Sequence, residues 1–308
     1  MACRAGVAGP SRKAQLLPDE LAGRSVDADT LRRRCHEQAG RAAAGRAGRA
    51  AGPQAFARAP GDRELHIDAG KVNTVEDGWR DVKVAALACR RRGQPCDAAG
   101  LDGRRPPASS VRSVVAAVEG RAAFGPRVEA GALRPGVPPG EGPSVLGDGA
   151  GWIGDLAADH FHGAAQVPDV RHGVRKLAEA GRAALGEGFR AWLERAKGQP
   201  VADGDAGACQ ALAALSTRAG VSAAASAAVA GELSYFAGDR GRLNYASRRR
   251  RGQSIGSGLV EGSIKQLVNL RLKRTGARWR VAGVGPFVEF VALADGPEWR
   301  EHWTALAA

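Results

Sequence analysis

Aromatic residues are scarce in this chain. They make up 5% of its 308 residues, so any core must be built mainly from Ala, Val and Leu. Cysteine offers no framework either. The five cysteines, Cys3, Cys35, Cys89, Cys96 and Cys209, are odd in number and irregular in spacing, with no CxxC pair. That pattern excludes a zinc finger and a secreted disulfide scaffold, and it suits isolated thiols in a reducing compartment. No apolar run approaches the ~20 residues of a membrane span, and the first residues lack the long apolar stretch of a signal peptide. The expectation is a cytoplasmic, nucleoid-associated protein with no membrane partner. Acidic residues are few beside the bases: 32 Asp and Glu against 45 Lys and Arg, a net charge of +13. Such an excess favours a polyanionic partner, although the abundance of Arg, Ala and Gly is also what GC-rich coding would produce.

What is present can be read along the chain. Hydrophobic residues reach 44%, enough for a real core. The length allows one large domain or two ordinary ones. Asp19 to Gly45 reads as two short helices, the second capped at Asp27 or Asp29. "ELHIDAGKV" reads as a strand ending near Asp68, and "GWRDVKVAALACR" as a second strand, joined through "NTVEDG" as a hairpin. "SSVRSVVAAVEGRAAF" spaces Val111, Val114, Val115 and Val118 as a helix does. A loop rich in Pro and Gly is expected from Arg134 to Pro143. "SVLGDGAGWI" reads as a buried strand running into a Gly-flanked turn, "WIGDLAADHF" as a helix, and "GAAQVPDV" as a short strand ending at Asp169. From Gly173 to about Ala246 the pattern is helical, broken by the polar "GQPVADGDAG". Strands followed by crossover helices predict a mixed α/β sheet. Trp152 and Trp279 are expected to pack in the core, and Trp299 and Trp303 to serve the core or an oligomer contact.

Three acids stand at the ends of three elements. Asp68 closes the first strand, Asp148 closes the strand beginning at Ser144, and Glu261 lies in the first turns of a later helix. Carboxylates placed so can converge on a hard divalent cation, which takes oxygen ligands. Two such ions can clamp an in-line phosphoryl displacement. Each acid also has an ordinary reading. "DAG" and "GDG" are good turn chemistry, and a carboxylate at a helix start gains only ~0.3–1 kcal/mol. Two basic runs, "SRRRR" and "RLKRTGARWR", bracket Glu261. Lys265 falls one turn after it, either as a simple ion pair or as a phosphate contact.

The segments "HIDAGKVNTVEDGWRDVKVA", "VLGDGAGWIGDLAADHF", "QVPDVRH" and "YFAGDRGRLNYASRRRRGQSIGSGLVEGSIKQLVNLRLKRTGARWRVAGVGPFVEF" resemble the DDE transposases of bacterial insertion sequences, of the ISKra-type group. The resemblance covers roughly residues 15–303. It implies an α/β, RNase H-like mixed sheet flanked by helices and interrupted by an all-α insertion, with a short helical N-terminal segment. The implied divisions are 1–60, a helical segment read as a shortened DNA-binding region; 61–172, the first part of the catalytic core; 173–252, the helical insertion; and 253–308, the last part of the core with C-terminal helices. The triad falls on Asp68, Asp148 and Glu261, which would hold two Mg²⁺ (or Mn²⁺) ions. An Asp-x-x-His signature falls on Asp169 and His172. It implies a catalytic contact for His172 and a supporting role for Asp169, where an ordinary helix N-cap is the alternative.

The residues expected to hold DNA phosphates are Lys71, Arg249, Arg250, Lys265, Arg271, Lys273, Arg274 and Arg278, which would grip the backbone without reading its sequence. The chain departs from the family pattern at Gly154, His162, Arg171, Arg175 and Lys176. The implied activity is metal-dependent cleavage and strand transfer on double-stranded DNA, transposon ends and target, by a homo-oligomer. The alternatives are an inactive or truncated basic DNA-binding protein of the same descent, and a nuclease without strand transfer.

Overall fold

The computed structural model describes residues 25–47, 58–96, 106–130, 143–238, 241–294 and 299–307, with isolated positions before residue 25 and at 56. The expected first N-terminal helix and the loop from Arg134 to Pro143 lie largely outside them. Helix α1 (Ala28–Ala47) opens the described chain. Asp27 Oδ1 accepts from the Asp29 and Thr30 backbone N–H groups at 3.0 and 2.9 Å, which makes Asp27 the cap.

Five strands form one mixed sheet in the order β3-β2-β1-β4-β5. Strands β1 (Asp62–Thr74) and β2 (Gly78–Arg90) pair antiparallel over their whole length, from Asp62↔Arg90 to Thr74↔Gly78. The hairpin closes where expected. Thr74 Oγ1 donates to Gly78 O at 2.9 Å and accepts from Asp77 N at 3.2 Å, and Gly78 has φ +68°, which glycine adopts without strain. β1 continues six residues past Asp68, where the sequence reading ended it. Strand β3 (Val111–Ala117) lies antiparallel on β2. This corrects the expected helix. Val114 and Ala116 enter one core cluster while Val115 and Ala117 enter the other, so the run is buried on both faces, and β-branched residues favour that setting. Helix α2 (Arg121–Val128) follows.

Strand β4 (Ser144–Gly147) lies parallel to β1, and β5 (Gln166–Pro168) lies parallel to β4. Helix α3 (Gly151–His160) connects them. Because side chains alternate along a strand, the sheet has two apolar faces. Leu65, Ile67, Ala85 and Leu87 meet Phe124, Val128, Ile153 and Leu156 of α2 and α3. Val72, Val82, Val84 and Val114 meet Leu31 and Cys35 of α1. They also meet Leu267 and Val268, and Val284, Phe287 and Val288 of helix α10 (Val281–Ala294). Glu289 of α10 accepts from Ala116 N at 3.1 Å, satisfying a donor on the sheet's edge strand.

Helices α4 (Val170–Leu185), α5 (Phe189–Ala196), α6 (Gln199–Ser216) and α7 (Ala223–Gly238) form an all-α segment after β5. Its core of Leu177, Leu212, Val229 and Phe236 packs on Leu146 and Val167 of the sheet. The expected break at "GQPVADGDAG" is a kink inside α6: Gly204 has φ +64°. A Cβ there would lie 2.7 Å from Leu243 O, so close approach as well as backbone angle demands glycine. The short helices α8 (Tyr245–Arg250) and α9 (Gly258–Ser263) lead into a π-helical turn over Ile264–Asn269. Helix α11 (Trp299–Ala307) ends the chain. Trp279, Trp299 and Trp303 pack partly buried on the core cluster. No helix among the described residues is long and apolar enough to cross a membrane.

A buried ion network sits under the sheet's other end. Glu64 Oε2 accepts from Arg90 Nε at 2.9 Å and lies 3.0 Å from His66 Nε2. Burial alone would raise the Glu64 carboxyl, but His66, Ser254 and Arg90 overturn it and hold it down at about 2. A depressed carboxylate stabilises the fold above its unfolded pKa, and the contribution disappears as pH falls through the folded value. Glu64→Gln is therefore expected to cost about 2–3 kcal/mol near neutral pH. In urea unfolding the gap to the parent should shrink steadily between about pH 4.5 and 2; a gap independent of pH would refute the assignment.

Candidate active site

Strand register assembles the acids. His66 pairs with Leu146 across β1 and β4, and Gly147 with Pro168 across β4 and β5. One or two residues further on, Asp68, Asp148 and Asp169 fall in a row across three adjacent strands, which neighbour one another at ~4.8 Å: Asp68 within β1, and the other two just past the ends of β4 and β5. Asp169 N donates to Gly147 O, which extends the ladder to the last member of the row. The Gly147 backbone is itself tightly confined, since a Cβ there would lie 2.9 Å from Ile153 Cδ1 and 3.0 Å from Ile67 O.

Each carboxylate is anchored locally. Asp68 Oδ1 accepts from Ala69 N at 2.7 Å, and Asp148 Oδ1 from Ala150 N at 2.9 Å. After Asp148 the chain turns through Gly149, with φ +81°. A Cβ at Gly149 would lie 2.2 Å from Tyr235 Oη, and that hydroxyl donates to Asp148 O at 3.2 Å. Tyr235, from α7, thus seats the turn that carries Asp148. Burial and the Asp148 charge push the Tyr235 phenol up to about 12, so it stays a neutral donor.

Asp169 is buried and fully used. One oxygen caps α4 by accepting from His172 N at 2.8 Å. The other accepts from Ser257 N and from Ser257 Oγ at 3.0 Å. Ser257 Oγ also lies 3.3 Å from Glu261 Oε1. A buried carboxylate thus fixes the start of the helix that brings in Glu261. Both readings of Asp169 meet here, since it caps a helix and also braces a site residue. His172 is half-buried, with Nδ1 2.8 Å from Arg175 Nη2. Burial and the Arg175 charge lower its pKa. With Arg175 donating to Nδ1, the remaining proton sits on Nε2 as a donor.

The row carries electrostatic tension. Burial, aided by the charges of Asp148, Glu261 and Asp169, pushes the Asp68 carboxyl up to about 6. The donor set is all carboxylate oxygen, which suits a hard divalent cation. Among the described residues, no group of three or more His, Cys, Asp or Glu side chains closes to a metal-ligating cluster. The acids share one sheet end as neighbours, and gathering them onto one ion takes side-chain movement. A cavity of about 550 Å³ opens beside Asp169 and Glu261, with Arg90, Arg171 and Arg249 in its wall.

The basic residues divide into two groups. Lys265, Lys273, Arg274, Arg278 and Arg250 are exposed, and Lys71 is exposed and 2.8 Å from Asp81. Glu261 and Lys265 are both exposed. Two bases are turned inward instead. Arg249 is 6% exposed. Arg271 stacks its guanidinium 5.0 Å from the Phe287 ring and donates to Gly6 O. Arg248 is also structural, donating to Ser254 O at 2.7 Å and to Ser144 Oγ at 3.0 Å. The sequence reading did not single out Tyr235 or Ser257. Ser257 had a signal, since it stands four residues before Glu261, one helical turn.

Two outcomes follow. The Asp68 carboxylate resists ionisation until about pH 6, so the fold loses stability as pH rises from the unfolded value through 6. Asp68→Asn should therefore stabilise the metal-free protein near neutral pH by ~1–3 kcal/mol, with the gain vanishing below about pH 4. Asp169→Asn is isosteric but sets an amide NH₂ against the Ser257 N–H. It should cost about 1–3 kcal/mol in urea unfolding, and a loss below a few tenths would show that the clasp is dispensable.

Comparison with known proteins adds no family to this geometry: no family model matches the chain, and no curated protein matches it.

Proposed function

We propose that the chain is a DDE-type transposase that cleaves DNA and transfers strands at a carboxylate site formed by Asp68, Asp148 and Glu261. The observation that carries this reading is the row of acids. Three adjacent strands and one helix bring carboxylates to neighbouring positions, and burial, with the charges of Asp148, Glu261 and Asp169, raises the Asp68 carboxyl to about 6. Uncompensated like charge is costly, and structures tolerate it where function uses it. The mixed sheet, the acids at β1 and β4, and the all-α segment between β5 and Glu261 support the RNase H-like reading with a helical insertion.

Asp68, Asp148 and Glu261 would hold the divalent ions, Mg²⁺ or Mn²⁺. Bound there, such ions would supply an activated oxygen nucleophile and neutralise charge on the phosphate. The chain's own part is positioning. Tyr235 and the Gly149 turn hold Asp148 against rotation. Asp169 and Ser257 set the direction from which Glu261 enters. His172, neutral with its Nε2 proton, is a donor to a phosphate oxygen. The exposed Lys265, Lys273, Arg274 and Arg278 grip the DNA backbone, and the inward Arg249 supports the strand that enters the cavity. Joining two transposon ends to a target requires at least two copies of the chain.

A second reading, a basic DNA-binding protein without chemistry, draws on the carboxylates standing short of a ligand cluster. One set of measurements separates the two. Supercoiled DNA carrying the element's ends should be nicked with Mg²⁺ or Mn²⁺ and not with chelator. Asp148→Asn should reduce nicking on the order of 100-fold or more, the scale for losing a group that stabilises developing charge. The same substitution should weaken calorimetric Mn²⁺ binding. Mn²⁺ binding to the parent should weaken below about pH 6, because protons then compete for Asp68. Duplex binding without nicking, and Mn²⁺ binding indifferent to Asp148→Asn, would establish the second reading.

A further inference from the structure

The tip of the β1–β2 hairpin carries a large exposed apolar surface. Trp79 is 56% exposed and Val75 46%. Trp79 pairs with Asn73 in the hairpin register, so it stands on a regular strand. The tip is also braced from outside. Trp279 N donates to Asn73 O at 3.0 Å and Val75 N donates to Trp279 O at 2.9 Å. Arg278 Nη2 donates to Val75 O at 3.2 Å. The basic loop between the π-helical turn and α10 is thereby held to the hairpin through an isolated parallel bridge between Thr74 and Trp279.

That bridge brings charge to the indole. Lys273 Nζ lies 5.4 Å from the Trp79 ring centroid, and Arg274, Arg278 and Arg280 of the same loop are exposed. The acids of the tip are already used: Glu76 accepts from Val281 N at 3.1 Å, and Asp77 pairs with Arg80. What faces outward is a rigid aromatic ring among cations. A protein partner would have to bury those cations, whereas a nucleic-acid strand offers phosphates to them and a base face to the ring. Base–aromatic stacking of this kind tolerates any sequence.

We infer that Trp79, with Lys273 beside it, is a stacking platform for an unpaired base of the DNA strand, working on distorted or opened DNA. Its place in the fold sets where that base lies. Trp79 is five residues from Val84, which pairs with Asp68. At the rise of a strand this is ~17 Å, about five steps of stacked bases at ~3.4 Å each. The platform would therefore hold DNA open about five nucleotides from the bond that is cut. The inference takes its occupant from the DNA reading above; the five-nucleotide spacing rests on the carboxylate site, whereas the stacking itself does not.

The test uses the full chain and fluorescence anisotropy with three probes: a blunt duplex, the same duplex with a central run of unpaired thymines, and oligothymidylate. The parent should prefer the two probes with unpaired bases. Trp79→Ala should lose that preference, on the order of tenfold in affinity, with blunt-duplex binding little changed. Trp79→Phe should keep most of it. The three probes are bound in chelator, where the carboxylate site takes no part, so failure of the metal site and failure of the platform are told apart. Trp79 is exposed, so the variants should melt with the parent. If Trp79→Ala weakens all three probes equally, keeps the parent's preference, or lowers the oligomeric state in sedimentation, the stacking platform is overturned.

Discussion

A single buried carboxylate holds the candidate site together. Asp169 accepts from the first turn of α4 with one oxygen and from Ser257 with the other. It therefore ties the end of the sheet to the all-α segment on one side and to the helix of Glu261 on the other. These parts are far apart in sequence, and an unpaired buried carboxylate would be strongly unfavourable. Satisfying it requires all three parts to arrive in one arrangement. The position of Glu261 follows from that requirement, since it is exposed, lies on a helix of only six residues and is itself contacted by Ser257 Oγ.

The same end of the sheet sets charge against stability. Parallel pairing of β1, β4 and β5 puts three aspartates in neighbouring positions, and the one hydrogen bond from Ala69 N does not offset the effect of burial and of those charges on Asp68. At the opposite end the treatment of charge is reversed. Glu64 is surrounded by His66, Arg90 and Ser254 and lies well below its ordinary pKa. One carboxylate is stabilised by its partners and the other is strained by its neighbours, within one strand and four residues of each other. The stabilised one behaves as part of the scaffold. In the proposed function, the strained one is where a cation would relieve the charge.

Much of the sheet was legible from residue order. The hairpin turn, the span of β2, β4, α3 and the cap at Asp27 stand close to where alternation, Gly-flanked turns and capping chemistry put them, whereas β1 runs six residues past its expected end at Asp68. β3 was not legible. Val111, Val114, Val115 and Val118 match a helical spacing, and a run of consecutive apolar residues fits a strand buried on both faces equally well. Only the presence of two core layers, one on each side, decides it. The kink at Gly204 was hidden for a similar reason. A polar, Gly-rich stretch reads as a loop, yet Leu243 O fills the space that a side chain would need. The basic run "SRRRR" reads as one surface, but Arg248 and Arg249 are turned inward while Arg250 is exposed.

By itself, the sequence determined the strongly basic surface, a core poor in rings, a hairpin followed by strands and helices, and acids at the ends of β4, of β5 and of the helix carrying Glu261. Those properties follow from composition and from local spacing, which act over a few residues. Tertiary structure alone decided that Asp68, Asp148, Asp169 and Glu261 lie together, that Tyr235 and Ser257 brace them, and that Trp79 stands exposed among cations. Each of those depends on strand register or on a hydrogen bond between distant segments, and neither is encoded in any single stretch of the chain.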